Sequence, residues 1–396
     1  MLQAKTKEGK LVTPASLSKA EIAYAKENQQ FFCPTCKEQV TLKAGAKMIP
    51  HFAHRSKRNC PSHESGEGHY HENGKHILFQ WLQQQQLDVA LEVYLPEINQ
   101  RPDLLVHIGK KIIALEFQCA RVPVEQINSR NDGYIRAGIT PIWILGANRF
   151  TRLKEHHLKL DQFILHFIHQ FSPNFPQTLY FFCPNTNQFI VFQDIQLTRL
   201  NQAIGRFHIV SLNKLTFTDL FQHNLLGQYK LHHLWKIEKR LFRLKQRQHL
   251  RGRELAWHQW LYLKQTHLEF LPSIVHLPVS SQYLMRSAPW DWQSRLLIDV
   301  VNPLPIGGQF SIATCKHILR NQLISPNYFP LIKSNANPIQ EYLKLLTQLC
   351  VIKQFAAQQF IKLKEITFHK NVEEALEADE KIINALLTNI PNKIQA

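Results

Sequence analysis

Long apolar runs are absent from this sequence. No stretch approaches the roughly twenty consecutive apolar residues that a transmembrane helix needs. The N-terminal segment MLQAKTKEGKLVTPASLSKAEIAYAK has no apolar core of the signal-peptide kind. The chain also contains neither an internal repeat nor a long low-complexity tract. These absences argue against a membrane-spanning or secreted protein, and we expect a cytoplasmic location.

Cysteine is also scarce. The chain has seven cysteines in 396 residues, which is too few for the disulfide framework of a small secreted domain. Three of them, Cys33, Cys36 and Cys60, fall close together near the N-terminus, and the other four are scattered. In a reducing compartment, such a clustered set is typical of a metal site.

Acidic residues are fewer than basic ones. Asp and Glu total 30 against 47 Lys and Arg, which gives a formal net charge of +17. This excess favours a polyanionic partner, because each Lys or Arg placed on a phosphate releases counterions. An anionic membrane surface is the alternative partner. With 396 residues, 44% of them hydrophobic, the chain is long enough for two or three domains with ordinary cores.

The first part of the chain predicts two helices around a compact segment. Residues 1–30 predict a short hairpin and then a helix, for which Ser18 and Glu21 form a capping box. Residues 31–62 are dense in Cys, His, Pro and Lys, which marks a small knuckle. Helical periodicity returns over residues 67–86.

A β-β-β-α-β order follows. Three strand-like runs, LDVALEVYL, RPDLLVHI and KKIIALEFQ, lie between residues 87 and 118. A helix over 123–136 and the strand TPIWILG come next, so an α/β unit closes near residue 150. Further on, KEHHLKLDQFILHFIHQF predicts a helix, and the turn residues 184–187 join two strands around TLYFFCPNTNQFIVF.

The knuckle carries a candidate zinc site. Its sequence is FFCPTCKEQV…IPHFAHRSKRNC, in which Cys33 and Cys36 form a C-x2-C pair. Zinc prefers four soft or borderline ligands in a tetrahedron, commonly supplied by two short chelate loops. We therefore expect a structural zinc site of Cys33, Cys36, His54 and Cys60, with His51 as the rival for the histidine position. The alternative is a chance C-x2-C pair beside surface histidines.

The run RPDLLVHIGKKIIALEFQ is the most informative stretch of the chain. If Gly109 and Lys110 form a two-residue hairpin turn, Asp103 lies opposite Glu116. Opposed residues share a sheet face, with Cβ atoms about 4.5–5.5 Å apart. Gln118 points to the same face because side chains alternate along a strand.

Two carboxylates this close repel each other unless a positive charge lies between them. A hard divalent cation with oxygen ligands meets that need, so Asp103 and Glu116 form a candidate site for Mg²⁺ or Mn²⁺. The alternative is a salt-bridged end of the sheet, with Arg101, Lys110 or Lys111 as partners.

The pair Pro102-Asp103, followed by Glu116-x-Gln118, resembles the PD-(D/E)xK nuclease signature. The resemblance implies a restriction-endonuclease-like α/β core whose carboxylates take part in phosphodiester hydrolysis. Gln118 stands where many members have lysine. A lysine ammonium can orient a nucleophilic water, whereas a neutral amide only hydrogen-bonds.

Two helices flank this hairpin in sequence. Glu67, His71 and Lys75 are spaced to share one face of the first helix. In nucleases of this type an early helix often lends an acidic group to the metal site, and Lys75 is a candidate for the role of the missing lysine. The second helix carries a trio at the same spacing, Gln126, Arg130 and Tyr134. The polar ends of these side chains are candidates for contacts with the scissile phosphate or the neighbouring DNA backbone. For each of the two trios, the alternative is a helix face exposed to solvent.

The order of these motifs along the chain resembles that in the competence protein CoiA family. The CPxC…HFAH knuckle precedes the helix residues, the PD pair, the EFQ triplet at 116–118 and WIL at 143–145. The resemblance covers residues 1 to about 230. It implies a role in natural transformation, in which incoming single-stranded DNA is processed and recombined into the chromosome. Such sequences often have a Ser two residues after the triplet, where this chain has Ala120.

A basic, aromatic-rich stretch begins the last part of the chain. Residues 229–264 contain ten Lys or Arg but only two acidic residues, Glu238 and Glu254. We expect amphipathic helices whose aromatic side chains lie mostly in the core and whose basic face contacts DNA. A membrane-surface helix is the alternative. The candidate DNA contacts here are Arg240, Arg243 and Arg247.

These features predict an α/β protein with a restriction-endonuclease-like core, an N-terminal zinc knuckle and a mostly α-helical basic C-terminal region. The predicted domains are 1–62 with the knuckle, 63–150 with the nuclease-like core, 151–228 as a mixed α/β extension, and 229–396. The predicted function is metal-dependent cleavage of single-stranded or branched DNA, with a recombinase or other competence proteins as partners. The alternative is a catalytically weak or inactive nuclease-fold module that binds DNA and assists recombinase loading or strand exchange, which Gln118 and Ala120 favour.

Overall fold

The architecture comes from a computed structural model, which describes residues 1–45, 48–54, 60, 68–244 and 249–388. Three β-sheets and the helices around them make up these ranges. Within them, no helix combines the length and the apolar character that crossing a membrane requires.

The N-terminal region is a small antiparallel sheet with one helix. Its elements are β1 (Ala4–Thr6), β2 (Leu11–Val12), α1 (Lys19–Asn28), β3 (Phe31–Phe32), β4 (Gln39–Gly45) and β5 (Met48–His54). The strand order is β2-β1-β3-β4-β5. The predicted hairpin and capped helix are confirmed: the Ser18 hydroxyl accepts from the Glu21 N–H, and the Glu21 carboxylate accepts from the Ser18 N–H.

The central region is built on a nine-stranded mixed sheet. Its elements are α2 (His69–Gln84), β6 (Asp88–Leu91), β7 (Leu104–Ile108), β8 (Lys111–Gln118), α3 (Val124–Arg136), β9 (Ile139–Gly146), β10 (Arg152–Lys154), β11 (His157–Lys159), α4 (Gln162–Leu165), β12 (Thr178–Cys183), β13 (Gln188–Arg199) and β14 (Gln202–Ser211). The strand order is β10-β11-β14-β13-β12-β9-β8-β7-β6.

The predicted β-β-β-α-β order is observed within this sheet. Strands β6, β7 and β8 are antiparallel, and α3 carries the chain across to β9, which runs parallel to β8. The predicted strand pair further on is also observed as β12 and β13, with Cys183 opposite Gln188 across the turn. The sheet continues beyond residue 150, where the sequence predicted that the α/β unit closes.

The prediction of a helix over residues 154–171 is wrong. Here β11 pairs with β14, with Leu158 opposite Ala203, and only the four residues of α4 are α-helical. Asp161 caps this short helix by accepting from the Ile164 N–H. Backbone pairing with the sheet outweighs the helical spacing of the apolar residues, because β11 can bury Leu158 completely against the core.

The C-terminal region combines helices with a small sheet. Its elements are α5 (Gln228–Leu244), α6 (Gly252–Leu263), α7 (Pro289–Leu296), β15 (Gln309–Ser311), α8 (Ile312–Ile318), α9 (Pro338–Gln348), β16 (Ile352–Ala356), β17 (Gln359–Lys362) and α10 (Val372–Thr388). The sheet order β15-β17-β16 was not anticipated from the sequence. As expected, the aromatic residues Trp235, Phe242 and Trp257 are fully buried in this region's core.

Helices α2 and α3 lie on opposite faces of the β7–β8 hairpin. On one face, Leu78 of α2 shares a core with Leu104 and Leu115. On the other, Tyr134 of α3 packs with Leu105 and Ala114. The alternation of side chains along the two strands produces this division. Polar residues of both helices can therefore reach the open end of the hairpin.

Candidate functional site

The β7–β8 hairpin adopts the predicted register. Ile108 lies opposite Lys111, and Gly109 opens the turn with φ +56°, which glycine adopts readily. Continuing this register past the last strand pair places Asp103 opposite Glu116. Both are almost buried: Asp103 is 7% exposed and Glu116 is 4% exposed.

Asp103 is held by the backbone of β8 and by two side chains of α2. The Phe117 N–H donates to Asp103 Oδ2 over 2.8 Å. His71 Nε2 lies 3.4 Å from Oδ2, and Lys75 Nζ lies 3.6 Å from Oδ1. The helix sits very close to the sheet here, since a Cβ added at Gly74 would lie 2.0 Å from the Phe117 ring. Glycine at this position is what lets α2 bring His71 and Lys75 to Asp103.

Lys75 is completely buried among three carboxylates. Its ammonium donates to Glu92 Oε1 over 2.7 Å and lies 3.6 Å from both Glu72 Oε1 and Asp103 Oδ1. The other oxygen of Glu92 accepts from the backbone N–H of Leu2 over 2.8 Å. A buried ammonium without such partners would carry a large desolvation cost. The three carboxylates offset that cost and fix the position of Nζ.

Sequence reasoning missed Glu72 and Glu92. Glu92 directly follows β6, and its N–H donates to the Asp103 carbonyl over 3.0 Å. Extending the β6–β7 pairing, in which Leu91 lies opposite Leu104, would have placed Glu92 beside Asp103. Glu72 lies one helical turn before Lys75, so the i, i+3 spacing was the available signal.

Glu116 is bound by two residues of α3. The Arg130 guanidinium and the Tyr134 hydroxyl both donate to Glu116 Oε1, and Arg130 Nη2 also lies 3.0 Å from the Tyr134 oxygen. The same nitrogen donates to the Arg101 carbonyl over 3.0 Å. Burial, followed by the negative charge of Glu116, raises the pKa of Tyr134 well above its usual range. Tyr134 therefore acts as a neutral hydrogen-bond donor.

The other predicted residues lie apart from this cluster or outside the described residues. The side-chain amide of Gln118 donates to the Ala120 carbonyl over 2.7 Å. Gln126 is exposed on α3, and Glu67 falls outside the described residues. The carboxylates are ion-paired, as in the alternative to a metal site. The cations in these pairs are Lys75 and Arg130 of the helices, whereas that alternative named Arg101, Lys110 or Lys111.

The four predicted knuckle ligands lie together. The Sγ atoms of Cys33, Cys36 and Cys60 and one ring nitrogen of His54 are all within 4.8 Å of one another. Cys33 and Cys60 Sγ are 3.9 Å apart, and Cys36 Sγ is 3.3 Å from His54 Nε2. Tetrahedral zinc with bonds of about 2.3 Å separates two sulfur ligands by about 3.8 Å. The donor set and its spacing are therefore compatible with structural zinc.

Two further observations bear on this cluster. His51 is not part of it, because its Nδ1 lies 2.9 Å from the Ile49 carbonyl. The structure thus selects His54 from the two histidines. Burial raises the pKa of Cys36 to about 12. That thiol stays protonated at neutral pH unless a cation displaces its proton, as metal ligation does.

The basic residues of α5 differ in their surroundings. Arg243 is 3% exposed and binds Asp379 of α10 through Nε at 3.0 Å and Nη2 at 3.1 Å. It also donates to backbone carbonyls at Leu268 and Leu271. Because this guanidinium is buried and already hydrogen-bonded within the protein, it is not available to DNA, and the prediction of a DNA contact at Arg243 is wrong. Arg240 is exposed, and Arg247 lies outside the described residues.

Comparisons with known proteins match three consecutive stretches. The models for the N-terminal, nuclease-like and C-terminal domains of competence protein CoiA match residues 14–63, 67–225 and 231–376. The chain is 28% identical over 309 residues to Competence protein CoiA of Bacillus subtilis (strain 168), covering 76% of this chain and 80% of that protein. No solved structure matches it. The Cys3His cluster falls in the first stretch and the Asp103–Glu116 hairpin in the second. Because the three models match consecutive stretches from residue 14 to residue 376, the chain belongs to the competence protein CoiA family.

Proposed function

We propose that this chain is a metal-dependent phosphodiesterase with a PD-(D/E)xK core, acting on incoming DNA during natural transformation. One observation carries the proposal: Asp103 and Glu116 face each other across the β7–β8 hairpin, with the buried Lys75 ammonium 3.6 Å from Asp103. Two carboxylates and one ammonium are the charged groups of the nuclease signature that the sequence resembles. The role of the relative in competence supplies the setting.

Asp103 and Glu116 are the proposed ligands for Mg²⁺ or Mn²⁺. Their carboxylate oxygens are the hard donors that these cations prefer. When bound, such a cation lowers the pKa of a water molecule and offsets the charge of the phosphodiester. The Phe117 N–H, donating over 2.8 Å, fixes the orientation of the Asp103 carboxylate. Tyr134 and Arg130 do the same for Glu116.

Lys75 takes the place of the lysine that Gln118 replaces. Its ammonium reaches the Asp103 carboxylate from α2, whereas the Gln118 amide is uncharged and donates to the Ala120 carbonyl. A buried ammonium in this position stabilises negative charge that develops on a nearby oxygen. Glu72 and Glu92 position this ammonium. His71 Nε2 lies 3.4 Å from Asp103, which makes its imidazole the proposed general acid or base.

Arg130 and the N-terminal cluster have supporting roles in the proposal. The Arg130 side chain is 14% exposed and holds Glu116, so it lies at the edge of the site where a phosphate would approach. Cys33, Cys36, His54 and Cys60 hold structural zinc. Residues 63–150 and 151–228 act as one DNA-handling unit, because their strands share a single sheet.

Cleavage assays test the proposal. Purified protein is incubated with single-stranded, duplex and branched DNA in Mg²⁺ or Mn²⁺, beside Asp103→Asn and Glu116→Gln. We expect both substitutions to reduce cleavage by about 100-fold or more, because they remove metal ligands. Asp88→Asn is the matched control, since this carboxylate lies on the same sheet and is 80% exposed. Equal cleavage by the wild type and both site variants, with their folds intact, would reject the proposal.

A second candidate function rests on Gln118. With an amide in the lysine position, the chain is a nuclease-fold module that binds branched or single-stranded DNA and assists recombinase loading or strand exchange. This function predicts DNA binding without cleavage under any divalent cation. It also predicts that Asp103→Asn binds DNA as tightly as the wild type, which a gel-shift comparison measures directly.

A further inference from the structure

Helix α6 carries apolar residues on all sides, although only one side of it is buried. Trp257 and Leu261 face the core of the C-terminal region and are 0% and 1% exposed. On the opposite side, Leu255 is 40% exposed, Tyr262 82% and Leu263 78%. A surface helix of a globular protein normally has polar residues on its outer side. The outer side of α6 therefore suits contact with a second apolar environment.

The exposed residues form one continuous face. Leu255, Gln259 and Tyr262 are spaced i, i+4 and i+7, so they lie along one side of the helix over about 10 Å. Ala256 and Leu263 lie next to them, and all five residues are exposed. Gln259 supplies the polar side chain of this set. We call these five residues the outer face of α6.

Aromatic rings lie at the C-terminal end of the outer face. Beside the exposed Tyr262, Trp260 is half-buried. The Arg295 guanidinium lies 4.5 Å from the Trp260 ring centre, and Lys264 Nζ lies 6.0 Å from it. Trp and Tyr favour the boundary between lipid and water, because the ring is apolar while its N–H or O–H group stays hydrated. This end of α6 has the composition of such a boundary.

Excess positive charge lies at the other end of α6. Lys264 and Arg295 are each paired with a carboxylate, at 2.7 and 2.6 Å. At the start of the helix, Arg251, Arg253 and Arg286 are all exposed. The Arg253 guanidinium donates to the Arg286 carbonyl, so these residues are neighbours. An apolar face bordered by exposed arginines is complementary to a bilayer with anionic head groups.

Other occupants fit the outer face less well. A second copy would bring together two chains that each carry a formal net charge of +17, which opposes association. A nucleic-acid backbone would pair with the arginines but leave Leu255 and Leu263 in water. A protein partner would need a groove shaped for the protruding side chains of Tyr262 and Leu263. A bilayer takes up protruding side chains without a preformed groove.

We infer that the outer face of α6 is a docking surface for an anionic lipid bilayer. Leu255, Tyr262 and Leu263 enter the boundary between the head groups and the acyl chains, and Arg251 and Arg253 bind the anionic head groups. With twelve residues, α6 is about 18 Å long, so it lies along the surface and does not cross the bilayer. The inference is independent of metal-dependent cleavage in the central region.

Flotation of the full chain with lipid vesicles tests this inference. Vesicles of phosphatidylcholine alone are compared with vesicles that also contain phosphatidylglycerol, and the protein that rises with the lipid is measured. We expect binding to the phosphatidylglycerol vesicles that weakens as salt is added. Tyr262→Ser with Leu263→Ser should lower the partition coefficient about tenfold or more, because two exposed apolar side chains are lost. Arg251→Gln should lower it about fivefold.

Tyr24→Ser with Ile306→Ser is the matched control. These side chains are 63% and 60% exposed but lie on α1 and between α7 and β15, so vesicle binding should equal that of the wild type. Thermal unfolding should match the wild type in both double variants, because all four positions are exposed.

Three results would overturn the inference. The first is no binding to the phosphatidylglycerol vesicles, and the second is equal binding by the wild type and the Tyr262→Ser, Leu263→Ser variant. The third is a wild-type dimer, seen by size-exclusion chromatography, that the same two substitutions make monomeric. The outer face of α6 would then be an interface between copies of the chain.

Discussion

At the scale of single residues, each carboxylate of the hairpin has a basic partner from a different helix. Asp103 lies beside Lys75 of α2, and Glu116 is bound by Arg130 of α3. These helices pack on opposite faces of the sheet, so each carboxylate is reached from a different side. The two pairs still meet at one end of the hairpin, because the N–H of Phe117, the residue after Glu116, donates to Asp103.

Replacing Lys75 by methionine should be strongly destabilising. Methionine has a similar length but no charge, so Asp103, Glu72 and Glu92 would lose their shared cation in a buried setting. Removing one partner of a buried ion pair costs about 3–5 kcal/mol, and urea denaturation measures this loss. Lys110→Met, at the exposed hairpin turn, should change the free energy of unfolding by no more than about 0.5 kcal/mol. A Lys75→Met protein as stable as the Lys110→Met control would contradict the prediction.

Tyr134→Phe should cost about 1–3 kcal/mol of stability at neutral pH, because Glu116 loses a hydrogen-bond donor. The pKa of Tyr134 is raised in the folded protein, so its contribution is complete below the unfolded pKa of about 10 and is lost as the pH rises through the higher folded value. The difference between wild type and variant should thus shrink above about pH 10. Chemical denaturation at about pH 8 and about pH 10.5 tests this; a difference that grows with pH would argue against it.

At the scale of elements, the hairpin could be predicted and the helix packing around it could not. The alternation of apolar residues and the turn at Gly109 determine which residues face each other, so Asp103 and Glu116 were found from the sequence. The placement of Lys75 against Glu92 depends on how α2 packs against the sheet, through the close approach at Gly74. Such a contact joins segments that are separate in sequence, and no local pattern encodes it.

Two errors at this scale have different physical origins. The segment 154–171 has helical spacing of apolar residues, yet its first half pairs with β14, which lies far ahead in the sequence. In the C-terminal region, β15, β16 and β17 have three to five residues each. Strands this short give almost no alternation to recognise, so their pairing was also missed.

The contact between α5 and α10 should depend on pH through Lys239. Burial, the largest effect, lowers the pKa of this lysine from 10.5 to about 8, although Asp379 partly opposes the shift. Between these values the unfolded chain binds more protons than the folded one, so the contribution of Lys239 to stability rises with pH.

Relative to Lys239→Met, the wild type should therefore gain about 3 kcal/mol between about pH 8 and about pH 10.5. Denaturation of both proteins at the two pH values measures the change, and comparing them cancels the titration of other groups. Lys236→Met, at a partly exposed position on the same helix, is the control and should track the wild type. A constant difference between wild type and Lys239→Met would contradict the prediction.

At the scale of the whole molecule, the N-terminal sheet is tied to the candidate site by its backbone. The Phe52 N–H of β5 donates to the Met1 carbonyl over 2.9 Å. The N–H of the residue after Met1, Leu2, donates to the Glu92 carboxylate. The Leu2 side chain is fully buried in the core that α2 forms with the central sheet. An ordered N-terminal sheet therefore helps to place Glu92, the carboxylate that accepts a hydrogen bond from Lys75.

Chelation of zinc, or Cys36→Ser, should unfold the N-terminal region and loosen the β6–β7 end of the central sheet. We expect one zinc per chain in purified protein, and faster amide hydrogen exchange around both Phe52 and Glu92 once the metal is removed. Cys350→Ser, at an exposed cysteine far from the cluster in sequence, should change neither quantity. A zinc content close to zero in purified, unchelated protein would contradict the assignment of this cluster as a zinc site.

The position of the Cys3His cluster also bears on the order in which the protein matures. All four ligands lie between Cys33 and Cys60, whereas the acidic hairpin is complete only at Gln118 and its α3 partners follow. During synthesis the N-terminal ligands therefore emerge first from the ribosome, and they can take up metal while the central sheet is still being made. The segment that carries the Leu2 N–H is likewise made before Glu92, its hydrogen-bond acceptor.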